Sequence, residues 1–171
     1  KDTTLVALDT IKINGDSHFK SEMNIEEPEM FYLFLDRGVS NSLDNNIVFF
    51  AEKRKINIET SLDFFTSDAK ITGSKNHQLY EEYRKVVSRY IDQDMELIKK
   101  RIYALKSKNQ TQVDSIDELQ KNIIKSKYLY TTNFAVNNAK YEVAPYVALA
   151  EIYDINLKYL DTIQSSLSPK V

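Results

Sequence analysis

The sequence contains no cysteine and no tryptophan, and it has only three glycines and three prolines among 171 residues. Without cysteine, these residues form no disulfide, no thiolate nucleophile, no thiolate zinc site and no CxxC redox motif. With so little glycine, they contain no glycine-rich phosphate-binding loop and no GxSxG nucleophile elbow. The usual catalytic signatures are missing, so we expect neither an enzyme nor a bound cofactor.

Charge and hydropathy argue against two further kinds of partner. The formal net charge is -2 and the sequence pI is about 5.8, so no basic field attracts a phosphate backbone or an anionic membrane. No apolar run approaches the roughly 18 residues that a membrane span needs. Because the chain begins at Lys1 rather than Met, we expect a trimmed or processed product from which any targeting segment would already be gone. We expect no nucleic-acid partner.

Residues 1–72 have the pattern of short strands separated by turns. Period-two alternation on both sides of Asn14-Gly15-Asp16 predicts a hairpin. Two continuous apolar runs, 31–35 and 47–50, are typical of strands covered on both faces and predict the centre of the sheet. Shorter strands are predicted at 56–60 and in the segment that ends at Ile71. About six or seven strands with no helix between them predict antiparallel pairing in a sheet or small sandwich.

After residue 72 the apolar residues follow a helical period. Ser74 is predicted to cap a long helix that ends near Ser107. A capping box between Ser115 and Glu118 predicts the start of a second helix, antiparallel to the first, that ends near Asn138.

Two shorter helices are predicted beyond it, one with Pro145 in its first turn and one over about 154–167. The predicted fold is therefore α+β. An N-terminal antiparallel β-sheet or sandwich over residues 1–72 is followed by a C-terminal bundle of about four helices over residues 73–171.

Tyrosine is the residue type in which the chain is rich, with eleven in total. Ten of them follow Gly73. Tyrosine combines a large apolar ring with a hydrogen-bonding tip, which suits recognition surfaces. The candidate ligand or partner surface comprises Tyr80, Tyr83, Tyr128, Tyr130 and Tyr146. The alternative, and the commoner arrangement at helical spacing, is that these rings line a seam between helices with each hydroxyl at its edge.

The remaining polar residues predict no catalytic or metal-binding group. His18 and His77 are in no metal-binding spacing such as HExxH, so both are predicted to be solvent-facing polar residues. Asp92 and Asp94 have lysine and arginine neighbours three to five residues away, which is typical of a solvated helix face. The basic cluster at 53–55 has no interleaved aromatic residues for stacking bases and predicts an exposed turn.

Several motifs, in this order along the chain, resemble one family. The best markers are the Ile71-Thr72-Gly73-Ser74 junction and the turn at Gly15 ahead of Phe19. The similar segments are 8–19, 27–35, 47–52 and 69–80, and in the helical half 133–137, 143–146 and 160–168. Together they resemble a bacterial domain-of-unknown-function family, DUF4369, over nearly the whole chain.

The resemblance implies a function without transferring any catalytic residue. In that family the domain typically stands ahead of a thioredoxin-like (AhpC/TSA, thiol-disulfide interchange) domain in cell-envelope proteins, often lipoproteins. It implies a periplasmic or outer-membrane accessory module that positions substrates or partners for an attached or separate thioredoxin-like domain. Membrane contact would come only through an N-terminal lipid anchor that has been removed. The alternative is a stand-alone envelope protein that binds a peptide or small ligand.

Overall fold

A computed structural model of the chain describes residues 5–13, 15–38 and 42–171. Within these residues the strands come first and the helices follow, which confirms the α+β class. The strands are β1 Glu29–Phe34, β2 Asn46–Ala51, β3 Asn57–Glu59 and β4 Lys70–Thr72, with a 3-10 turn at Leu43–Asn45. The helices are α1 Lys75–Lys106, α2 Gln110–Asn137, α3 Val143–Glu151 and α4 Leu157–Ser166.

The strands pair antiparallel, as predicted, but in two separate two-stranded sheets. β1 pairs with β2, with Phe31 opposite Phe49 and Leu33 opposite Ile47. β3 pairs with β4, with Ile58 opposite Ile71. The described residues thus form fewer strands than the six or seven that alternation predicted.

The predicted hairpin around Gly15 accounts for most of the difference. Residues 5–13 and 15–28 form no strand, and Asn14 lies outside the described residues. Leu5, Val6 and Leu8 are all more than 60% exposed. A two-stranded hairpin is marginal in water unless one face packs on something. Alternation in sequence indicates which residues could share a face, but it does not supply the layer that would cover them.

The two continuous apolar runs form β1 and β2, and here the prediction of location is confirmed. Burial on both faces is correct for β2, where Ile47 and Phe50 are 2% and 1% exposed. It is wrong for β1, because Tyr32 and Phe34 are 41% and 55% exposed. A strand in a two-stranded sheet has only one neighbour, so an apolar run does not ensure that it is covered.

α1 begins and ends where the sequence predicts. The Ser74 hydroxyl accepts a hydrogen bond from the His77 backbone N-H at 3.0 Å, which confirms the predicted cap. α2 begins earlier than predicted, because Asn109 caps it by accepting from the Gln112 N-H at 3.1 Å. The predicted capping box is therefore wrong. Ser115 already lies within the helix, and its hydroxyl donates to the Thr111 carbonyl at 3.0 Å.

α1 and α2 form the predicted antiparallel hairpin. Tyr83 and Thr131 join the helices near one end through hydroxyls 2.9 Å apart. Arg101 and Asp117 join them near the other end through an ion pair at 2.6 Å. α2 ends at Asn137, close to the predicted position, and Pro145 lies in the first turn of α3 as predicted. Among the described helices, none combines the length and apolar character that crossing a bilayer requires.

One main core joins the helices to the first sheet. Phe50 of β2 lies in the same buried cluster as residues of all four helices, among them Leu79, Phe134, Val147 and Ile163. A smaller cluster fills the far end of the helical hairpin and comprises Leu97, Ala104, Val113 and Ile116. The division of the chain at residue 72 into two subdomains stays a prediction.

Gly73 connects β4 to α1, and its geometry admits no other residue without strain. Its φ is +97°, and an added Cβ would overlap the Lys55 carbonyl oxygen and lie 3.2 Å from the Ile56 Cα. We expect Gly73→Ala to lower the free energy of unfolding by about 3 kcal/mol, from the left-handed backbone and the clash together. Urea denaturation followed by circular dichroism measures this loss.

Gly38→Ala is the matched control for Gly73→Ala. Gly38 also has a positive φ, of +68°, but an added Cβ meets no atom within 4 Å. Gly38→Ala should therefore lower the free energy of unfolding only by the backbone strain, about 1 kcal/mol. Equal losses for the two variants would show that the contact with Lys55 does not matter.

Candidate functional site: an aromatic junction between sheet and helices

A buried carboxylate positions the first turn of α1. Glu52, directly after β2, is 9% exposed. Its Oε1 accepts hydrogen bonds from the Ser74 hydroxyl and the Asn76 backbone N-H, both at 2.7 Å, and Arg54 Nε lies 3.3 Å from Oε2. A negative charge is favourable at a helix N-terminus, where backbone N-H groups lack partners within the helix. This contact fixes the end of β2 against the start of α1.

The side chain of Asn76 extends the same network to α3. It is 2% exposed, and its Nδ2 donates to Glu142 Oε2 at 2.8 Å. Its Oδ1 accepts from the Val143 backbone N-H, also at 2.8 Å. Because both ends of the amide are used, α3 begins at a fixed position beside the first turn of α1.

Next to this network, aromatic rings from β2, α1 and α3 pack edge to face. Phe50 of β2 lies with its ring centroid 5.8 Å from that of Tyr80 and 5.1 Å from that of Tyr146, and the two tyrosine rings are 5.7 Å apart. The interplanar angles are between 76° and 81°, the T-shaped geometry that aromatic quadrupoles favour.

Two exposed rings continue this cluster towards solvent. In the register of the first sheet Met30 is opposite Phe50, and alternate residues of a strand share one face, so Tyr32 and Phe34 lie on the face that carries Phe50. Their rings stack with centroids 6.2 Å apart and an interplanar angle of 15°. We call the set of Tyr32, Phe34, Phe50, Tyr80 and Tyr146 the aromatic junction.

Two tyrosines of the aromatic junction, Tyr80 and Tyr146, keep neutral hydroxyls. Burial raises the pKa of both Tyr80 and Tyr146 above the ordinary value for tyrosine. Neither hydroxyl therefore ionises near neutral pH. The Arg84 guanidinium lies 5.9 Å from the centroid of the Tyr80 ring, a cation-π contact at the margin of the cluster.

Two of the other predicted site residues lie elsewhere. Tyr83 is 0% exposed, and burial raises its pKa. Tyr130 stacks on Tyr83 with ring centroids 5.9 Å apart. These two rings line the seam between α1 and α2, the arrangement that we gave as the alternative to a ligand surface.

Tyr128 lies on a third surface, between α2 and α4. Its hydroxyl donates to Asp154 Oδ1 at 2.7 Å, and this hydrogen bond is the main reason that its pKa is raised. Beside it is a cavity of about 280 Å³ lined by apolar residues and two lysines: Lys121, Ile124, Lys125, Tyr128, Leu129, Ile155 and Tyr159. This volume lies just below the range of ordinary small-molecule pockets, roughly 300 to 1,000 Å³.

The prediction for the two histidines is half correct. His18 is exposed, as predicted, with Nδ1 2.7 Å from an oxygen of Asp16. His77 is only 3% exposed, so its predicted solvent-facing position is wrong. The Ser74 cap and Glu52 fix the rotation of α1 so that residue 77 faces inward. Neither His77 ring nitrogen makes a hydrogen bond, although Nε2 lies 3.5 Å from Glu81 Oε1.

Sequence reasoning missed the residues that assemble the aromatic junction. Tyr32 and Phe34 are predicted to lie in a strand covered on both faces, and Glu52, Asn76 and Glu142 are not singled out by the sequence pattern. One signal was available, since Glu52 directly follows an apolar strand and is part of a segment that carried the family resemblance. In the described part of the chain, no group of three or more histidine, aspartate or glutamate residues is placed to hold a metal ion.

Removing the charge of Glu52 should destabilise the fold. We expect Glu52→Gln to lower the free energy of unfolding by about 1 to 3 kcal/mol, because a charged acceptor of two hydrogen bonds is replaced by a neutral amide. Urea denaturation measures it. Glu59→Gln, at an exposed position of β3, is the control and should change stability by less than about 0.5 kcal/mol. A loss no larger than that of the control would contradict the capping role.

Stability should also decrease in acid because of His77. Burial is the largest cause that lowers its pKa below the ordinary 6.5, while Glu81 opposes the shift. As the pH falls, the unfolded chain therefore binds the proton first. This residue's contribution is complete above pH 6.5 and is lost as the pH falls through the lower pKa of the folded state.

The test compares urea midpoints between about pH 7.5 and pH 5 for wild type, His77→Phe and His18→Gln. His77→Phe should show a smaller loss of stability in acid than wild type, and His18→Gln should match wild type. An equal pH dependence in all three proteins would mean that His77 does not titrate differently on folding.

Comparison with known proteins gives one result. Residues 1–80 match a family model described as "Domain of unknown function (DUF4369)". The matched segment contains the four strands and the start of α1 through Tyr80. No curated protein matches the chain, and no solved structure does. The resemblance over residues 81–171 stays a prediction. Residues 1–80 are therefore similar to the DUF4369 family of domains of unknown function, as the motifs in that part of the chain predicted.

Proposed function

We propose that the chain is a non-catalytic binding module of a bacterial cell-envelope protein. It holds an extended polypeptide against the aromatic junction and so positions that polypeptide for a thioredoxin-like domain, attached or separate. The observation that supports this function best is the exposed pair Tyr32 and Phe34 on an edge strand, backed by the buried ring of Phe50 and the partly buried rings of Tyr80 and Tyr146.

The outer edge of β1 is suited to backbone recognition. Within the described residues β1 pairs only with β2, so no strand covers its other edge. An extended peptide can add to such an edge through main-chain hydrogen bonds, while alternate side chains give specificity. On β1 those alternate side chains are Tyr32 and Phe34.

Tyr32 and Phe34 are suited to binding because they are backed by aromatic rings that are themselves held in place. An aromatic side chain has few rotatable bonds, so ordering it at an interface costs little entropy, and aromatic residues are enriched among binding hot spots. Phe50, Tyr80 and Tyr146 are held by the Glu52 and Asn76 network, so the surface needs little rearrangement when a partner binds. A polypeptide exchanging disulfides exposes backbone and apolar side chains, which is the chemistry that this surface recognises.

The alternative is a stand-alone envelope protein that binds a peptide at the same surface. A small ligand is less well supported, because the cavity beside Tyr128 is only about 280 Å³. Intact mass of the mature protein from its own cells separates the alternatives. A mass well above 19.9 kDa, with CxxC-containing peptides, supports attachment to a thioredoxin-like domain.

Binding at the aromatic junction can be tested with a reduced and carboxymethylated, permanently unfolded polypeptide. We expect the double variant Tyr32→Ser with Phe34→Ser to bind it at least about tenfold more weakly than wild type, as measured by fluorescence anisotropy. The matched control is Tyr103→Ser with Tyr153→Ser, which removes two exposed rings, each 72% exposed, away from the junction. Equal binding by both double variants would contradict the proposed surface.

The link to a thioredoxin-like domain needs a separate test in the native cells. A photo-crosslinking amino acid at position 34 should capture a thioredoxin-like domain or one of its disulfide-exchanging substrates, identified by mass spectrometry. The same group at position 103 is the control. If position 34 captures nothing beyond the control, the accessory role is wrong.

A further inference from the structure

α1 carries a second apolar stripe, separate from its seam with α2. The stripe residues are separated by four, three, four and three positions, which is the spacing of a coiled-coil interface. Each is between 37% and 51% exposed, so the described chain leaves the stripe largely uncovered: Ile91, Met95, Ile98, Ile102 and Leu105. We call these five residues the outer stripe.

The outer stripe is not part of the contact between α1 and α2. That contact uses a neighbouring row on the same helix, in which Tyr83, Val87, Leu97 and Ala104 are buried. α1 thus has an exposed apolar row beside the buried one. A contiguous exposed apolar row on a soluble protein is typical of an interaction surface.

The charges beside the outer stripe indicate what covers it. One position after each of four stripe residues stands a charged residue. Asp92 and Glu96 precede the midpoint at Ile98, and Lys99 and Lys106 follow it. Two identical helices packed parallel along this row would place like charges together. If the two helices instead pack antiparallel with their crossing point at Ile98, the acidic half of each helix faces the basic half of the other.

We propose that the outer stripe is the interface of a homodimer in which α1 packs antiparallel against α1 of a second copy. Its two-fold axis passes near Ile98, so the interface is isologous. Asp92 then lies near Lys106 of the partner subunit. Neither Asp92 nor Lys106 forms an ion pair within the described chain, so both are available for this contact.

This dimer leaves the aromatic junction free. Ile91, the first residue of the outer stripe, is eleven residues beyond Tyr80, which places it roughly 16 Å further along the helix axis. The dimer therefore presents two aromatic junctions at opposite ends of the paired helices. The inference is independent of the proposed binding function, because it rests on a different face and a different half of α1.

Cysteine crosslinking gives a direct test, because these 171 residues contain no cysteine. In Ile98→Cys, the two introduced thiols lie beside the two-fold axis, and mild oxidation should convert most of the protein to a covalent dimer on a non-reducing gel. Leu119→Cys, at a 52% exposed position of α2 outside the stripe, is the control and should remain mainly monomeric. Equal crosslinking of the two variants would overturn the proposal.

Sedimentation equilibrium of the full chain then tests the charge pattern. We expect Ile98→Glu to weaken dimerisation about 100-fold or more, because two carboxylates meet at the axis. Asp92→Lys should weaken it about tenfold, and the exchange of both charges, Asp92→Lys with Lys106→Asp, should restore it. Helix content by circular dichroism should be unchanged in all variants, since these side chains are exposed.

Two results would overturn this dimer. A wild-type chain that remains monomeric at about 100 times the concentration used for the crosslinking would exclude a second copy as the occupant of the stripe. A double charge exchange that fails to restore association would exclude the antiparallel arrangement, because only in that orientation do both exchanged pairs regain opposite charges.

Discussion

The hydrogen bonds from Ser74 and Asn76 to the Glu52 carboxylate are the contact on which the relation of sheet to helices depends. A helix start has unpaired N-H groups, and a buried carboxylate needs donors, so each satisfies the other. Because Glu52 directly follows β2, this contact sets where Phe50 lies against α1. Asn76 then transmits the position to α3. The aromatic junction is a consequence of this polar network rather than of ring packing alone.

The short connection from β4 to α1 and the first turn of α1 contain several residues whose conformation is constrained. Gly73 has a φ that other residues rarely adopt, in a space that a side chain would fill. Ser74 caps the helix, and Asn76 and His77 are then turned inward. These requirements fall within positions 73–77 of the matched residues 1–80, which gives a physical reason for the Ile71-Thr72-Gly73-Ser74 junction, one of the two best markers of the resemblance.

The long helix α1 has three surfaces with different surroundings. Its first turns build the aromatic junction, its inner row forms the seam with α2 through residues such as Tyr83, and its outer stripe is exposed. A helix of 32 residues reaches roughly 48 Å, so the two proposed interaction surfaces are well separated. Partner binding at one end and pairing at the other can therefore coexist in one small chain.

By itself the sequence determined the α+β class, the positions of β1 to β4, the Ser74 cap, the helical hairpin and the similarity of residues 1–80 to the DUF4369 family. These depend on local spacing, capping and motif order. Only the tertiary structure decided that residues 5–13 and 15–28 form no hairpin, that His77 is buried, and that Tyr80 and Tyr146 meet while Tyr83 and Tyr130 line a seam. The physical reason is that periodicity identifies which side chains share a face, whereas burial depends on residues far away in the chain, such as Glu52 and Glu142, that bring a second element against that face.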